Sequence, residues 1–126
     1  MKALIDSTVV VDIIRNHPPA IAWVKAQSEP PGITVLVWME AVAGAQNKIA
    51  QIDTINVISG FPLVYPTPTD MDWAMRQLFD YKLSHGVGLV DCLIASVCHR
   101  LQLPLYTHNR KHIEPILGAA LTVKPY

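Results

Sequence analysis

The segment of residues 3–14 reads "ALIDSTVVVDII", an apolar and largely β-branched run with one acid near its start. A run that does not alternate between apolar and polar residues is typical of a parallel strand covered on both faces. An ionised carboxylate inside such a strand is costly unless a cation pairs with it. We therefore predict that the strand ends at Asp6 and that a cation partners the Asp6 carboxylate.

The composition indicates one folded domain spanning residues 1–126. Of its 126 residues, 51% are hydrophobic and 16% are charged, which excludes a disordered chain. The charged fraction is low for a small monomer, so we expect some apolar surface to be covered by a partner chain. The formal net charge is +0, so a site for a polyanion would need metal ions or a few local Arg and Lys residues.

The cysteines and the N-terminus predict a cytoplasmic protein. Cys92 and Cys98 are the only cysteines, and their six-residue separation within a predicted helix prevents a disulfide between them. The first residues lack the pattern of a signal peptide, and no apolar stretch is long enough for a membrane span. We expect reduced thiols and no association with a membrane.

The order of the predicted elements indicates an α/β fold. Strands are predicted at 2–6, 30–36, 62–66, 104–109 and 120–125. Helices are predicted at 17–27, 37–50, 67–83, 90–102 and 110–117. This alternation predicts a mostly parallel central sheet with helices on both faces.

Four polar residues are predicted to meet at one edge of this sheet. Asp6 and Asn109 are expected to end strands. Glu40 is expected to begin the helix after the second strand, and Asp91 is expected to begin the helix at 91–102. Each residue alone has an ordinary interpretation as a turn or helix-cap residue. Together, three carboxylates at the carboxyl ends of parallel strands repel one another, and a hard divalent cation is the usual compensation.

Four segments resemble, in order, the successive blocks of PIN-domain proteins of the bacterial VapC-type toxin branch. They are "LIDSTVVVDIIR", "TVLVWMEAVAGA", "VDCLIASVCHRLQLPLYTHN" and "KHIEPILGAALTVKPY". The resemblance covers nearly the whole chain and implies a single PIN-like domain. It also implies an endoribonuclease that depends on Mg²⁺ or Mn²⁺, cleaves RNA, and pairs with an antitoxin that blocks its site.

The resemblance assigns roles to individual residues. Asp6, Glu40 and Asp91 match the metal-binding acids, and Asn109 stands where many members carry a fourth acid. That difference removes one negative charge and leaves open whether one or two ions bind. Residues expected to orient the carboxylates are Ser7, Thr8 and Thr107. Residues expected to hold the RNA backbone are Arg15, Arg110 and Lys111.

One alternative stays open at this stage. A PIN-like domain could bind RNA or a protein partner without cutting, since the fourth acid is missing and the net charge is zero. A phosphatase of the haloacid-dehalogenase type fits less well, because it needs a second acid where Thr8 stands. Asp12 could border the site. Among the five histidines only His108 and His112 have the i, i+4 spacing of metal ligands, and they are predicted to lie across a strand end and a helix start, which disfavours a transition-metal site.

The helix predicted at 67–83 indicates a homodimer. Thr69 or Asp70 is expected to cap it. Its inward stripe is predicted to consist of Met71, Ala74, Met75 and Leu78. Trp73, Phe79 and Tyr81 lie off this stripe, so apolar surface remains for a second copy of the chain.

Overall fold

The computed structural model describes all residues from 1 to 126. Its strands are β1 (Leu4–Ile5), β2 (Ile33–Thr34), β3 (Leu63–Val64), β4 (Leu105–Tyr106) and β5 (Thr122–Val123). Its helices are α1 (Ser7–Ile14), α2 (Pro18–Lys25), α3 (Val35–Ala43), α4 (Lys48–Ile58), α5 (Pro68–His85), α6 (Leu89–Leu101) and α7 (Arg110–Leu117). A short 3-10 turn, Ala119–Leu121, precedes β5.

All strand pairs are parallel, as the alternation of elements predicts. β4 pairs with both β1 and β5, and β2 pairs with β3. The amide of Ile5 donates to the carbonyl of Gly32 at 3.0 Å, and the amide of Gly32 donates to Ala3 at 2.8 Å. These bonds join the two groups of strands in the order β3-β2-β1-β4-β5. Because the chain moves outward from β1 in both directions, the topological switch point lies between β1 and β4.

The first strand ends at Ile5, one residue before the predicted end at Asp6, and the β-branched residues that follow form helix α1. The backbone amide of Ser7 donates to Asp6 Oδ1 at 2.8 Å, so Asp6 caps this helix. Val9, Val10 and Ile13 are buried in the core. Burial of this face outweighs the modest helix propensity of β-branched residues.

The helix predicted at 37–50 is wrong, because two helices occupy this part of the chain. Thr34 Oγ1 accepts from the Val37 amide at 3.2 Å, so α3 begins directly after β2. α3 ends before Gly44, and Asn47 Oδ1 accepts from the Ala50 amide at 2.8 Å to start α4. Glu40 therefore lies in the second half of α3 rather than at a helix start.

The cap predicted for α5 is also wrong by a few residues. Thr67 is the cap: its Oγ1 accepts from the Asp70 amide at 3.1 Å, and Asp70 Oδ2 accepts from the Thr67 amide at 2.9 Å. Arg100 on α6 donates its Nε to both oxygens of Asp70, at 3.0 and 2.9 Å. Asp70 is thus a buried link between α5 and α6.

Replacing Asp70 by alanine should lower the free energy of unfolding by about 2–3 kcal/mol. The change removes one reciprocal cap bond, worth about 1 kcal/mol, and leaves the charge-assisted bond of Arg100 unmade. Urea denaturation measures the loss. The matched control is Asp72→Ala, at an exposed position of the same helix, which should change stability by less than about 0.5 kcal/mol. Equal losses for the two variants would contradict the role assigned to Asp70.

The inward face of α5 differs from the predicted stripe. Ala74 is buried and Leu78 packs against the core, but Met71 and Met75 are 49% and 69% exposed. Trp73 packs inward and stacks on His99 with ring centroids 4.7 Å apart. The anchor at Asp70 explains the rotation, since it turns the helix face that contains Asp70 toward α6. Met71, Met75, Phe79 and Leu83 form an exposed row, here called the α5 apolar patch.

Two further expectations concern the thiols and the membrane. Cys92 and Cys98 are free and buried in α6, in agreement with the prediction from their spacing. No helix is both long enough and apolar enough to cross a bilayer.

Candidate active site

Asp6 lies at the switch point, between the carboxyl ends of β1 and β4. Its side chain is buried, and its two oxygens accept from different elements. Oδ1 accepts from the Ser7 amide at 2.8 Å, and Oδ2 accepts from Thr107 Oγ1 at 2.7 Å. Both donors are neutral, and no Lys, Arg or His forms an ion pair with Asp6. The protein therefore positions this carboxylate without neutralising it.

The three predicted acids influence one another electrostatically. Burial raises the pKa of Asp6, and the charge of Asp91 adds to the rise, while the bonds from Thr107 and Ser7 oppose it. Desolvation also raises the pKa of Glu40, followed by repulsion from Asp6 and then from Asp91. Asp6 and Glu40 therefore lie within electrostatic range of Asp91, although the three acids come from three separate helices or helix starts.

Asp91 lies in the first turn of α6, where its Oδ2 accepts from the Gly88 amide at 3.1 Å. The helix cap is Gly88, so Asp91 stands at the third helical residue. His112 Nδ1 lies 3.8 Å from the same Asp91 oxygen. Sequence reasoning missed His112 as a site residue. Its spacing from Asn109 is close to one turn of α7, but no spacing in the sequence indicates that α7 brings it to Asp91.

The loop between β4 and α7 is tied to the site through two threonines. The Asn109 amide donates to Thr107 Oγ1 at 2.9 Å, so Thr107 links Asn109 to Asp6. Thr8 Oγ1 accepts from the His108 amide at 3.2 Å. Ser7 and Thr107 therefore contact Asp6 directly, whereas Thr8 holds the neighbouring loop against α1.

The donor set fits a hard divalent cation in its chemistry. Asp6, Glu40 and Asp91 supply carboxylate oxygens, the ligands that Mg²⁺ prefers, and Mg²⁺ needs few direct protein ligands because it keeps several waters. In the structure no three His, Cys, Asp or Glu side chains are close enough together to hold one ion. A shared ion would therefore require these side chains to move closer, and the assignment of Mg²⁺ or Mn²⁺ stays a prediction.

The three predicted cations do not lie together. Arg15 and Glu40 line a groove of about 430 Å³ between α1, α3 and α4. Arg110 and Lys111 line a different cavity, of about 490 Å³, with His85. Arg110 also pairs with Glu114 at 3.5 Å. Only Arg110 and Lys111 share a surface, and that surface begins next to Asn109.

Comparison with known families identifies the fold. A model of the PIN domain matches residues 3–115. The chain belongs to the PIN-domain family. In this PIN domain Asp6 directly follows β1, whereas Glu40 lies within α3 and Asp91 lies in the first turn of α6. A search of curated protein sequences finds no match.

Solved structures share the same fold. A toxin–antitoxin complex from Klebsiella pneumoniae is similar with a TM-score of 0.81 and 23% identity, over 98% of each chain. VapBC from Salmonella typhimurium, bound to DNA, has a TM-score of 0.80 and 19% identity, over 100% of this chain and 99% of that one. VapBC2 from Rickettsia felis, bound to a promoter fragment, has a TM-score of 0.77 and 18% identity, over 98% of each chain. At these identities the likeness shows the PIN fold alone.

Proposed function

We propose that this PIN domain is a Mg²⁺- or Mn²⁺-dependent endoribonuclease and the toxin of a toxin–antitoxin pair. The observation that carries the proposal is the site at the switch point. Burial and the charges of neighbouring carboxylates raise the pKa of Asp6 and the pKa of Glu40, and no protein cation forms an ion pair with either side chain. Such an arrangement is costly to fold, and binding a divalent ion would offset that cost.

Each residue of the site has a proposed role in RNA hydrolysis. Asp6, Glu40 and Asp91 would hold the ion, which when bound supplies an activated water and neutralises charge on the phosphate. Thr107 and the Ser7 amide hold the Asp6 carboxylate in one orientation. The Gly88 amide does the same for Asp91 Oδ2. Asn109 contributes an uncharged side chain at the rim, where a fourth acid would add to the repulsion.

Arg110 and Lys111 are proposed to contact the RNA backbone. They follow Asn109 directly in the sequence, and both line one cavity with His85. Cations at this position offset the repulsion between the acids and the phosphates. Arg15 lies in the groove beyond Glu40 and would contact RNA only on that side.

The antitoxin is proposed to occupy the groove between α1, α3 and α4. Val11 and Ile14 give this groove apolar walls, and Glu40 lies on its lining together with Arg15. A segment placed there would reach the acids and block them. The solved structures with the same fold include toxin–antitoxin complexes, which supports the presence of such a partner.

A second copy of the chain is proposed to cover the α5 apolar patch. Beside this patch lies a groove of about 210 Å³ lined by apolar side chains of α5 and α6, including Leu89 and Leu93. Phe79 and Leu83 are almost fully exposed in the single chain. We also propose that the homodimer works in the cytoplasm, where its free thiols stay reduced.

The decisive test is cleavage of RNA by the purified chain. We expect cutting with Mg²⁺ or Mn²⁺, loss of cutting on adding EDTA, and recovery when the ion is restored. Glu40→Gln, purified in parallel, should cut at least about 100-fold more slowly and controls for contaminating nucleases. If the wild-type chain binds RNA or an antitoxin segment but never cuts with any divalent ion, the non-cutting PIN module is the correct alternative.

A further inference from the structure

A second cavity adjoins the acids and is not used by the proposed hydrolysis. It has a volume of about 440 Å³ and is lined by Ser7, Thr8, Val11, Asp12 and His108. Ser7 is also the residue whose amide contacts Asp6 at 2.8 Å. Whatever occupies this cavity therefore lies close to Asp6. The volume is sufficient for one planar heterocycle.

Asp12 presents a hydrogen-bond acceptor to this cavity. Tyr126 Oη donates to Asp12 Oδ2 at 2.6 Å, and His108 Nε2 lies 3.9 Å from the same oxygen. Asp12 Oδ1 accepts no hydrogen bond from the protein. The carboxylate is therefore held in place through one oxygen, while the other is free for a ligand.

His108 gives this cavity one aromatic ring, which packs edge-on against the ring of Tyr126. Their ring centroids are 4.6 Å apart with an interplanar angle of 64°. The edge contact with Tyr126 fixes the imidazole, and 29% of the His108 side chain stays exposed. Proteins that read unpaired RNA commonly stack a base on an aromatic ring and bind its Watson–Crick edge with polar groups. The cavity offers both kinds of contact.

We infer that this cavity takes one nucleobase of the RNA beside the cleaved phosphate, and that guanine is the base it prefers. The inference rests on the proposed function. The Watson–Crick edge of guanine carries two adjacent N–H donors. Asp12 can accept one of them at Oδ1 and the other at the second lone pair of Oδ2, beside the bond from Tyr126. Uracil offers one N–H between two carbonyl oxygens, and these oxygens repel a carboxylate. Cytosine and adenine offer one amino group next to an unprotonated ring nitrogen.

Recognition of a base would explain why a charged carboxylate lies in a cavity that binds RNA. Asp12 repels the phosphates of any RNA that enters the site, and its bond to Tyr126 could be made equally well by a neutral asparagine oxygen. A purely structural Asp12 would therefore affect stability through Tyr126 but would leave base preference unchanged. The two roles are separable by experiment.

The first measurement is binding of free nucleosides by NMR, in EDTA, with the ring signals of His108 and Tyr126 as reporters. Nucleosides lack a phosphate, so the acidic site does not contribute. Guanosine should bind roughly 5- to 150-fold more tightly than uridine, the range of discrimination that one well-placed pair of hydrogen bonds gives. Asp12→Asn should remove this preference. Asp80→Asn, an exposed acid on α5, should retain it.

The second measurement is sequencing of the ends produced when a random RNA pool is cut. Wild type should enrich guanine at one fixed position relative to the cut, and Asp12→Asn should lose that enrichment while still cutting. Cutting without any base enrichment, together with equal binding of the four nucleosides, would overturn the inference and leave the nuclease proposal standing. A chain that never cuts but binds guanosine selectively would support the cavity's assignment and refute the nuclease.

Discussion

Asp6→Asn should lower the rate of RNA cleavage about 100-fold or more. It should leave the melting temperature in EDTA unchanged or raise it. The amide keeps an oxygen that can accept from the Ser7 amide, and its nitrogen can donate to Thr107 Oγ1. The fold therefore loses little. The ionised carboxylate, by contrast, is buried beside Asp91, and its removal relieves an electrostatic cost. The same removal takes away an anionic ligand of the proposed ion.

The pH dependence follows from the sign of the pKa shift. The pKa of Asp6 in the folded protein is raised above its ordinary value of 3.8, so folding favours the protonated form. The cost of the charge is present at neutral pH and disappears as the pH falls through the raised folded value. In EDTA, the melting advantage of Asp6→Asn should therefore be larger at pH 7.5 than at pH 4.5. Asp80→Asn is the exposed control and should show no such difference.

One outcome would refute the site. If Asp6→Asn melts lower than wild type in EDTA at both pH values and still cuts RNA, Asp6 is a structural helix cap. In that case the loss should be about 1 kcal/mol, the usual cost of a missing cap bond. Parallel melts with added Mg²⁺ complete the test, since only a ligand role makes the wild type gain more from the ion than the variant does.

The position of Asp6 could be predicted because it depends on local pattern and on topology. A buried apolar strand must end where an acid follows it, and carboxyl ends of parallel strands meet at one edge. For the same reason Thr107 could be placed near Asp6, although the two residues are 101 positions apart. Helix α7 was predicted with its observed bounds, since the strand before it and Gly118 after it both limit its length.

The faces and starts of other helices could not be predicted from local pattern. α5 is rotated relative to its predicted stripe because Arg100, thirty residues away, binds Asp70. α3 begins earlier than predicted because Thr34 serves both as the last residue of β2 and as a helix cap. The local sequence permits several helix starts and faces, and tertiary contacts and caps select among them. The cap at Thr34 places Glu40 within α3.

The surroundings of the site were less predictable than its acids. His112 reaches Asp91 only because α7 packs against α6, and Tyr126 reaches Asp12 only because the segment after β5 returns to α1. No spacing in the sequence encodes either contact. An acid at a strand end can be recognised in the sequence because its neighbours are apolar. A histidine or tyrosine on a partly apolar face has no such contrast with its neighbours.

Phe79→Glu should convert a dimer into a monomer at micromolar concentration. Phe79 is almost fully exposed in the single chain, so the substitution should change the stability of the fold by less than about 0.5 kcal/mol. In a dimer that covers the α5 apolar patch, the glutamate would be buried without a partner. Loss of a central aromatic contact costs about 2 kcal/mol or more, roughly thirtyfold in the dissociation constant.

The matched control for this variant is Ile52→Glu, which places the same charge on an exposed isoleucine of α4. Light scattering coupled to size exclusion should give a dimer mass for wild type and for Ile52→Glu, and a monomer mass for Phe79→Glu. A monomeric wild type would refute the homodimer. A dimer that only Ile52→Glu disrupts would move the interface to α4, where it would compete with the antitoxin groove. Dissociation by Phe79→Glu alone assigns the contact to α5 and leaves the groove beside Glu40 free for the antitoxin.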